Sequence, residues 1–140
     1  MFDGKSNADQ LAKIMMLLGS PSEAQTKKLN PRYNFAKLPY VDASSIYNHF
    51  PNSTPKEAVD LVIALLDYDP GRRITAVQAL AHPFFDQLRD PKTKLPDGSG
   101  VPDFIFDFTE EELSTMKTIA GGKDLINKVI PKHRLMQDDS

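Results

Sequence analysis

Cysteine is absent from this sequence, which excludes disulfides, thiolate zinc sites and a cysteine nucleophile and suits a reducing compartment. A long apolar run is absent too: none approaches the ~20 residues that span a bilayer. The opening MFDGKSNADQ has neither the basic stretch nor the apolar core of a secretory signal, so a cytoplasmic or nuclear location is expected. Charge of one sign is scarce, since 17 Lys and Arg against 19 Asp and Glu leave a formal net charge of −2. That balance offers no electrostatic case for nucleic acid or an anionic membrane as partner. The acidic pair Asp138–Asp139 is too short to act as a tail. No repeats or low-complexity segments occur, which excludes solenoid and propeller arrays.

What is present is ordinary globular material. The 140 residues are 40% hydrophobic and 26% charged, enough for one domain with a real core. The 11 prolines fall between periodic segments, so the fold class expected is mostly α and loop-rich rather than a simple bundle. Five pairs have the capping-box spacing, in which a polar residue caps a helix start and Glu or Gln follows three later. They are Asn7 with Gln10, Ser20 with Glu23, Thr54 with Glu57, Thr75 with Gln78 and Thr109 with Glu112. Pro21 and Pro55 would then take the first helical position, where a missing N–H costs nothing.

The first helix is predicted over 8–18, with Leu11, Ile14, Met15 and Leu18 on one face. Gly19 ends it, and a short helix follows over 21–29. From Pro31 to Ser53 aromatic residues and prolines break the period, which predicts an extended insert pinned by its rings. The strongest helix is predicted over 55–66. Ala58, Leu61, Val62, Leu65 and Leu66 make its core face, and Val59 and Ile63 widen burial to most of the circumference. Asp69-Pro70-Gly71 is a turn, and a helix over 76–81 stops before His82-Pro83, where His82 is expected as a cap. A short helix to Leu88, a loop over 90–102 and an extended Phe104-Phe106-Phe108 run come next. A helix over 110–116 then gives way to a flexible segment through Gly121-Gly122. His49 and His133 stand alone, which gives no metal site. Ser20-Pro21 and Thr54-Pro55 resemble proline-directed phosphorylation sites, with N-capping the preferred reading of both. Met15 and Met16 are expected in a core or a groove.

The segment D-P-G-R-R-I-T-A-V-Q-A-L-A-H-P from Asp69 to Pro83 is similar to the late helical motif of eukaryotic protein kinases. F-D-G-K-S-N-A-D-Q-L from Phe2, L-L-G-S-P from Leu17 and the insert resemble the group of cyclin-dependent, mitogen-activated and glycogen synthase kinases. The tail, F-F-D-Q-L-R-D-P-K-T-K-L-P-D-G from Phe84, F-D-F-T-E-E-E-L from Phe106 and I-P-K-H-R from Ile130, resembles the glycogen synthase kinase 3 family. The resemblance implies the last helices of a kinase C-terminal lobe over 1–89, including an insert at about 20–53, and a C-terminal extension over 90–140. It implies that Arg73 forms a buried ion pair with the glutamate of an A-P-E segment outside this chain. It further implies a groove for a helical scaffold peptide at Ala8, Leu11, Ala12, Met15, Tyr33, Ala36 and Leu38. Ala36 and Leu38 depart from the phenylalanines of the family loop.

Kinase chemistry needs a glycine-rich loop, a strand lysine, a catalytic aspartate in H-R-D and a metal aspartate in D-F-G. None is in this sequence, and Gly98-Ser99-Gly100 lacks the third glycine. The chain alone is therefore expected to transfer no phosphate and to bind no cofactor, whereas the intact serine/threonine kinase implied by the resemblance would use ATP and Mg2+. The partners expected are the remainder of that kinase domain and a scaffold peptide. Arg73 has a second reading, an anion site with Arg72 and Lys56. A lone buried member of an ion pair costs about 3–5 kcal/mol, so the isolated chain is expected to be marginal or partly molten. Two alternatives from other classes are a free-standing, non-catalytic interaction module derived from a kinase and an unrelated helical adaptor.

Overall fold

The computed structural model describes residues 2–32, 34, 39–119 and 121–132. Among the described residues the architecture is mostly α, with seven α-helices and one isolated antiparallel bridge, Lys94 to Gly100. No helix among them is long and apolar enough to cross a membrane. The chain forms two compact units, residues 1–74 and 75–140. The second unit thus takes in the helices between Thr75 and Arg89 together with the stretch after residue 90.

The first unit contains α1 (Asn7–Leu18), α2 (Glu23–Leu29), a 3-10 turn (Ile46–His49) and α3 (Lys56–Leu65). Its core joins Leu17 of α1, Ile46 of the turn and Val59 of α3, with Phe2, Leu18, Phe50, Val62 and Leu66 packed around them. Helix α1 stops where Gly19 takes a φ of 79°, its N–H donating to Met15 O at 2.7 Å. A side chain there would be strained and would crowd Ala43 N at 3.0 Å, so glycine is required. The returning chain is then laced to the end of α1. Ser20 Oγ donates to Pro39 O at 2.9 Å and accepts from Val41 N at 2.8 Å, and Ser44 Oγ donates to Met16 O at 2.8 Å.

Three expected caps are corrected. Ser20 is committed to the loop, so α2 begins two residues later with a Ser22–Gln25 capping box. Ser6, not Asn7, caps α1 by accepting from Asp9 N. Helix α3 starts at Lys56 with Pro55 in the cap position and no side-chain cap, so Thr54 and Glu57 form no box. The burial expected for α3 is also narrower than its composition implies. Val59 and Leu61 are buried, but Ile63 and Leu65 are exposed.

The second unit contains α4 (Ala76–Leu80), a 3-10 turn (Pro83–Phe85), α5 (Asp86–Arg89), a 3-10 turn (Asp103–Phe106), α6 (Glu110–Thr118) and α7 (Gly122–Val129). Here the expected caps are present: Thr75 with Gln78 and Thr109 with Glu112 form reciprocal boxes. His82 Nδ1 accepts from Phe84 N at 3.2 Å, capping the 3-10 turn as predicted. The phenylalanine run is not extended, because 103–106 wind into a 3-10 turn that leaves Phe104 exposed while Phe106 and Phe108 are half-buried. The segment after α6 is not a flexible end either. Gly121 at φ 76° reverses the chain, and α7 returns to pack on α6 and α4, burying Met116 and Val129. Gly122 permits the close approach, since a Cβ there would lie 2.1 Å from Met116 O.

Candidate functional site

The segment 67–74 is a turn built around one aspartate. The backbone N–H of Asp69 donates to Asp67 Oδ1 at 2.8 Å, and its carbonyl accepts from Arg72 N at 3.0 Å and Arg73 N at 2.9 Å. The Asp69 carboxylate, 5% exposed as a residue, accepts from Gly71 N at 3.0 Å and pairs with Lys28 Nζ of α2. The Lys28 ammonium holds the Asp69 carboxyl below its ordinary value; burial opposes this, and the Gly71 N–H adds to the lowering. Next to it, the buried Tyr68 hydroxyl donates to Gly19 O at 2.8 Å, and loss of hydration pushes its pKa up to about 12.

The two arginines leave this turn differently. Arg72 Nε lies 3.6 Å from Asp67 Oδ2, while Arg73 Nε donates to Asp67 O at 2.9 Å. Both are exposed. Arg73 is therefore hydrated, and the penalty expected of a lone buried charge is not incurred in this chain. Lys56 pairs with Asp60 at 2.6 Å near the start of α3. The arginines follow the end of that helix, about 15 Å along the axis for ten residues. The anion site of Arg72, Arg73 and Lys56 is not assembled.

The residues expected to form the peptide groove divide. On α1, Ala8 is exposed, Leu11 and Ala12 are half-buried, and Met15 is 1% exposed. Tyr33, Ala36 and Leu38 lie outside the described residues, as does His133. His49 Nε2 is hydrogen-bonded to Ser44 Oγ at 2.7 Å, and no cluster of metal-ligating side chains occurs among the described residues.

Sequence reasoning missed a feature of the second unit. Leu80, Phe85, Leu88, Phe106, Phe108 and Val129 line most of an apolar cavity of about 250 Å³. At its edge the Arg89 side chain, 12% exposed, bridges the end of α4. Its Nη1 donates to Leu80 O at 2.6 Å, and its Nη2 donates to His82 O at 3.0 Å and to Asp86 Oδ1 at 2.5 Å. Arginine supplies the planar fork this requires and satisfies carbonyls that a helix end leaves without partners. The only advance signal was a basic residue nine positions after Leu80. The Lys28–Asp69 pair spans 41 residues and had no local signal at all.

No known family model matches the chain.

Proposed function

We propose that this chain is the closing part of the C-terminal lobe of a serine/threonine protein kinase similar to the glycogen synthase kinase 3 family. The intact polypeptide, in cytoplasm or nucleus, would transfer the γ-phosphate of ATP to serine or threonine hydroxyls. The motifs that would hold ATP and Mg2+ in such an enzyme are not among the residues of this sequence.

The observation that carries the reading is the far end of α3. This is the helix that composition marks for the deepest burial, yet Ile63 and Leu65 stand 38% and 45% exposed. The Ile74 N–H to Ala64 O bond of 3.2 Å lays the following turn segment beside that end, and the exposed Arg73 adjoins Ile74. Exposed apolar side chains, with an exposed arginine in the segment beside them whose Nε alone is held by Asp67 O, are what a larger lobe would cover, the guanidinium meeting an acidic partner. The same reading gives α1 a partner: an amphipathic peptide helix crossing Ala8, Leu11 and Ala12, with Met15 as backing rather than contact.

The test is the native polypeptide in its source cells, captured with an antibody against residues 104–140. The reading expects a species far heavier than 15.6 kDa that carries H-R-D and D-F-G and phosphorylates a generic substrate. In it, Arg73→Ala should lower the melting temperature and Leu11→Glu should abolish scaffold pull-down. A species of 15.6 kDa with no kinase activity would remove the enzyme reading and favour a free-standing interaction module.

A further inference from the structure

The sequence holds two hydroxyls followed by proline, Ser20-Pro21 and Thr54-Pro55, and for both N-capping was the competing role. The structure separates them. Ser20 Oγ is engaged twice, donating to Pro39 O and accepting from Val41 N, and Pro21 is buried. A modifying enzyme could reach Ser20 only after the 39–41 segment had detached. Thr54 caps nothing, since α3 has no side-chain cap. Among the described residues its one hydrogen bond is from its backbone N–H to Pro51 O, at 2.9 Å. Thr54 is half-buried, as Ser20 is, but residues 51–53 and 55–57 around it are exposed, and Pro55 has the extended φ of −55° and ψ of 138°.

We infer that Thr54 is a phosphorylation site for a proline-directed kinase and that Ser20 is not. The inference does not depend on what the chain itself does. In the reaction, Thr54 Oγ1 attacks the γ-phosphorus of ATP and an O–P bond forms. The bond from that phosphorus to the bridging oxygen breaks, ADP leaves, and the hydroxyl proton passes to a carboxylate of the modifying kinase. The product places about −1.5 to −2 charges just before the first turn of α3, whose N–H groups favour an anion there. Lys56, two residues on, is then drawn from Asp60, with which it now pairs at 2.6 Å. Glu57 opposes the new charge.

The experiment treats the native polypeptide, purified without denaturation, with ATP and a purified proline-directed kinase. Its denatured form is treated in parallel, and phosphate is mapped by mass spectrometry. The expected result is phosphate at Thr54 in both forms and at Ser20 in the denatured form. The Thr54-to-Ser20 ratio should fall about tenfold or more on denaturation, because reaching Ser20 in the folded chain requires local opening. Thr54→Ala should remove the mark from the native protein, and Thr54→Ser should restore it. An unchanged ratio, phosphate on Ser53 instead, or no phosphate on the native protein would each overturn the inference.

Discussion

The two units hold their helices by different means. In residues 1–74 the backbone is shaped by polar ties between distant positions: Tyr68 to Gly19, Ser20 to residues 39 and 41, Ser44 to Met16, and Lys28 to Asp69. Around them Leu17, Ile46 and Val59 close on one another. In residues 75–140 the ties are short in sequence, as in the Thr75 and Thr109 capping boxes and the fork of Arg89, and the apolar side chains surround a cavity of about 250 Å³. Among the described residues the first unit is a small core, Leu17, Ile46 and Val59, dependent on long-range polar anchors. The second is a set of locally specified helices with space left between them. Closed and open packing respond oppositely to added and removed volume, and that makes the contrast testable.

The largest effect is expected from emptying the closed core. Leu17→Ala should cost about 3 kcal/mol by lost transfer energy and a cavity that its neighbours cannot fill. Hydrogen exchange should locate the loss in α1 and α3 while leaving α6 protected. Equal deprotection of both units would break the distinction between them.

The next effect belongs to the second unit. Arg89→Met keeps much of the stem but leaves the carbonyls of Leu80 and His82 without their donors, which should cost about 2 kcal/mol. Arg89→Lys should recover little of it, since an ammonium lacks the fork that reaches two carbonyls and Asp86 together. Full rescue by lysine would show that charge alone matters there.

A matched pair sharpens the comparison. Val129→Leu adds a methylene beside the cavity and should stabilise by about 0.8 kcal/mol. Val59→Leu adds the same group at a side chain only 2% exposed and packed in the core with Leu17 and Ile46, and should destabilise by about 1–2 kcal/mol. Urea titrations of both variants would read the two signs, and equal signs would sink the contrast between the packing around Val129 and around Val59.

What could be read in advance follows the same division. The caps at Thr75, Thr109 and His82 were legible because each acts within three residues of itself. The cap of α2 shifted because Ser20 had a better use 19 and 21 positions away, information no local pattern holds. Helix α7 was missed although Leu125, Ile126 and Val129 are suitably spaced, because its start has no polar cap and two glycines suggested a break. The phenylalanine run has the alternation of a strand, but it lacks a neighbouring strand to pair with and winds into a 3-10 turn instead. Of the candidate site, the Asp69 turn was legible as a turn, and Lys28, which holds it, was not.

The smallest expected effect concerns that lysine. The Asp69 carboxyl is held below its ordinary value of 3.8, first by Lys28. A carboxyl depressed on folding contributes stability that is present above its unfolded value and is lost as pH falls through the folded one. The acid limb of the stability curve should therefore steepen below pH 3.8. Lys28→Met moves the folded value back up, so it should flatten that limb and lower stability at neutral pH by the same amount, a small one because the lysine is largely exposed and its pairing is screened. Tyr68 sets the opposite end. Its folded value of about 12 exceeds the unfolded 10, so stability is lost as pH rises across that interval, and Tyr68→Phe should reduce the alkaline loss. Urea midpoints from pH 2.5 to 5 would test the first, and an acid limb identical in wild type and Lys28→Met would mean that the Gly71 N–H, not the long-range pair, holds the carboxylate.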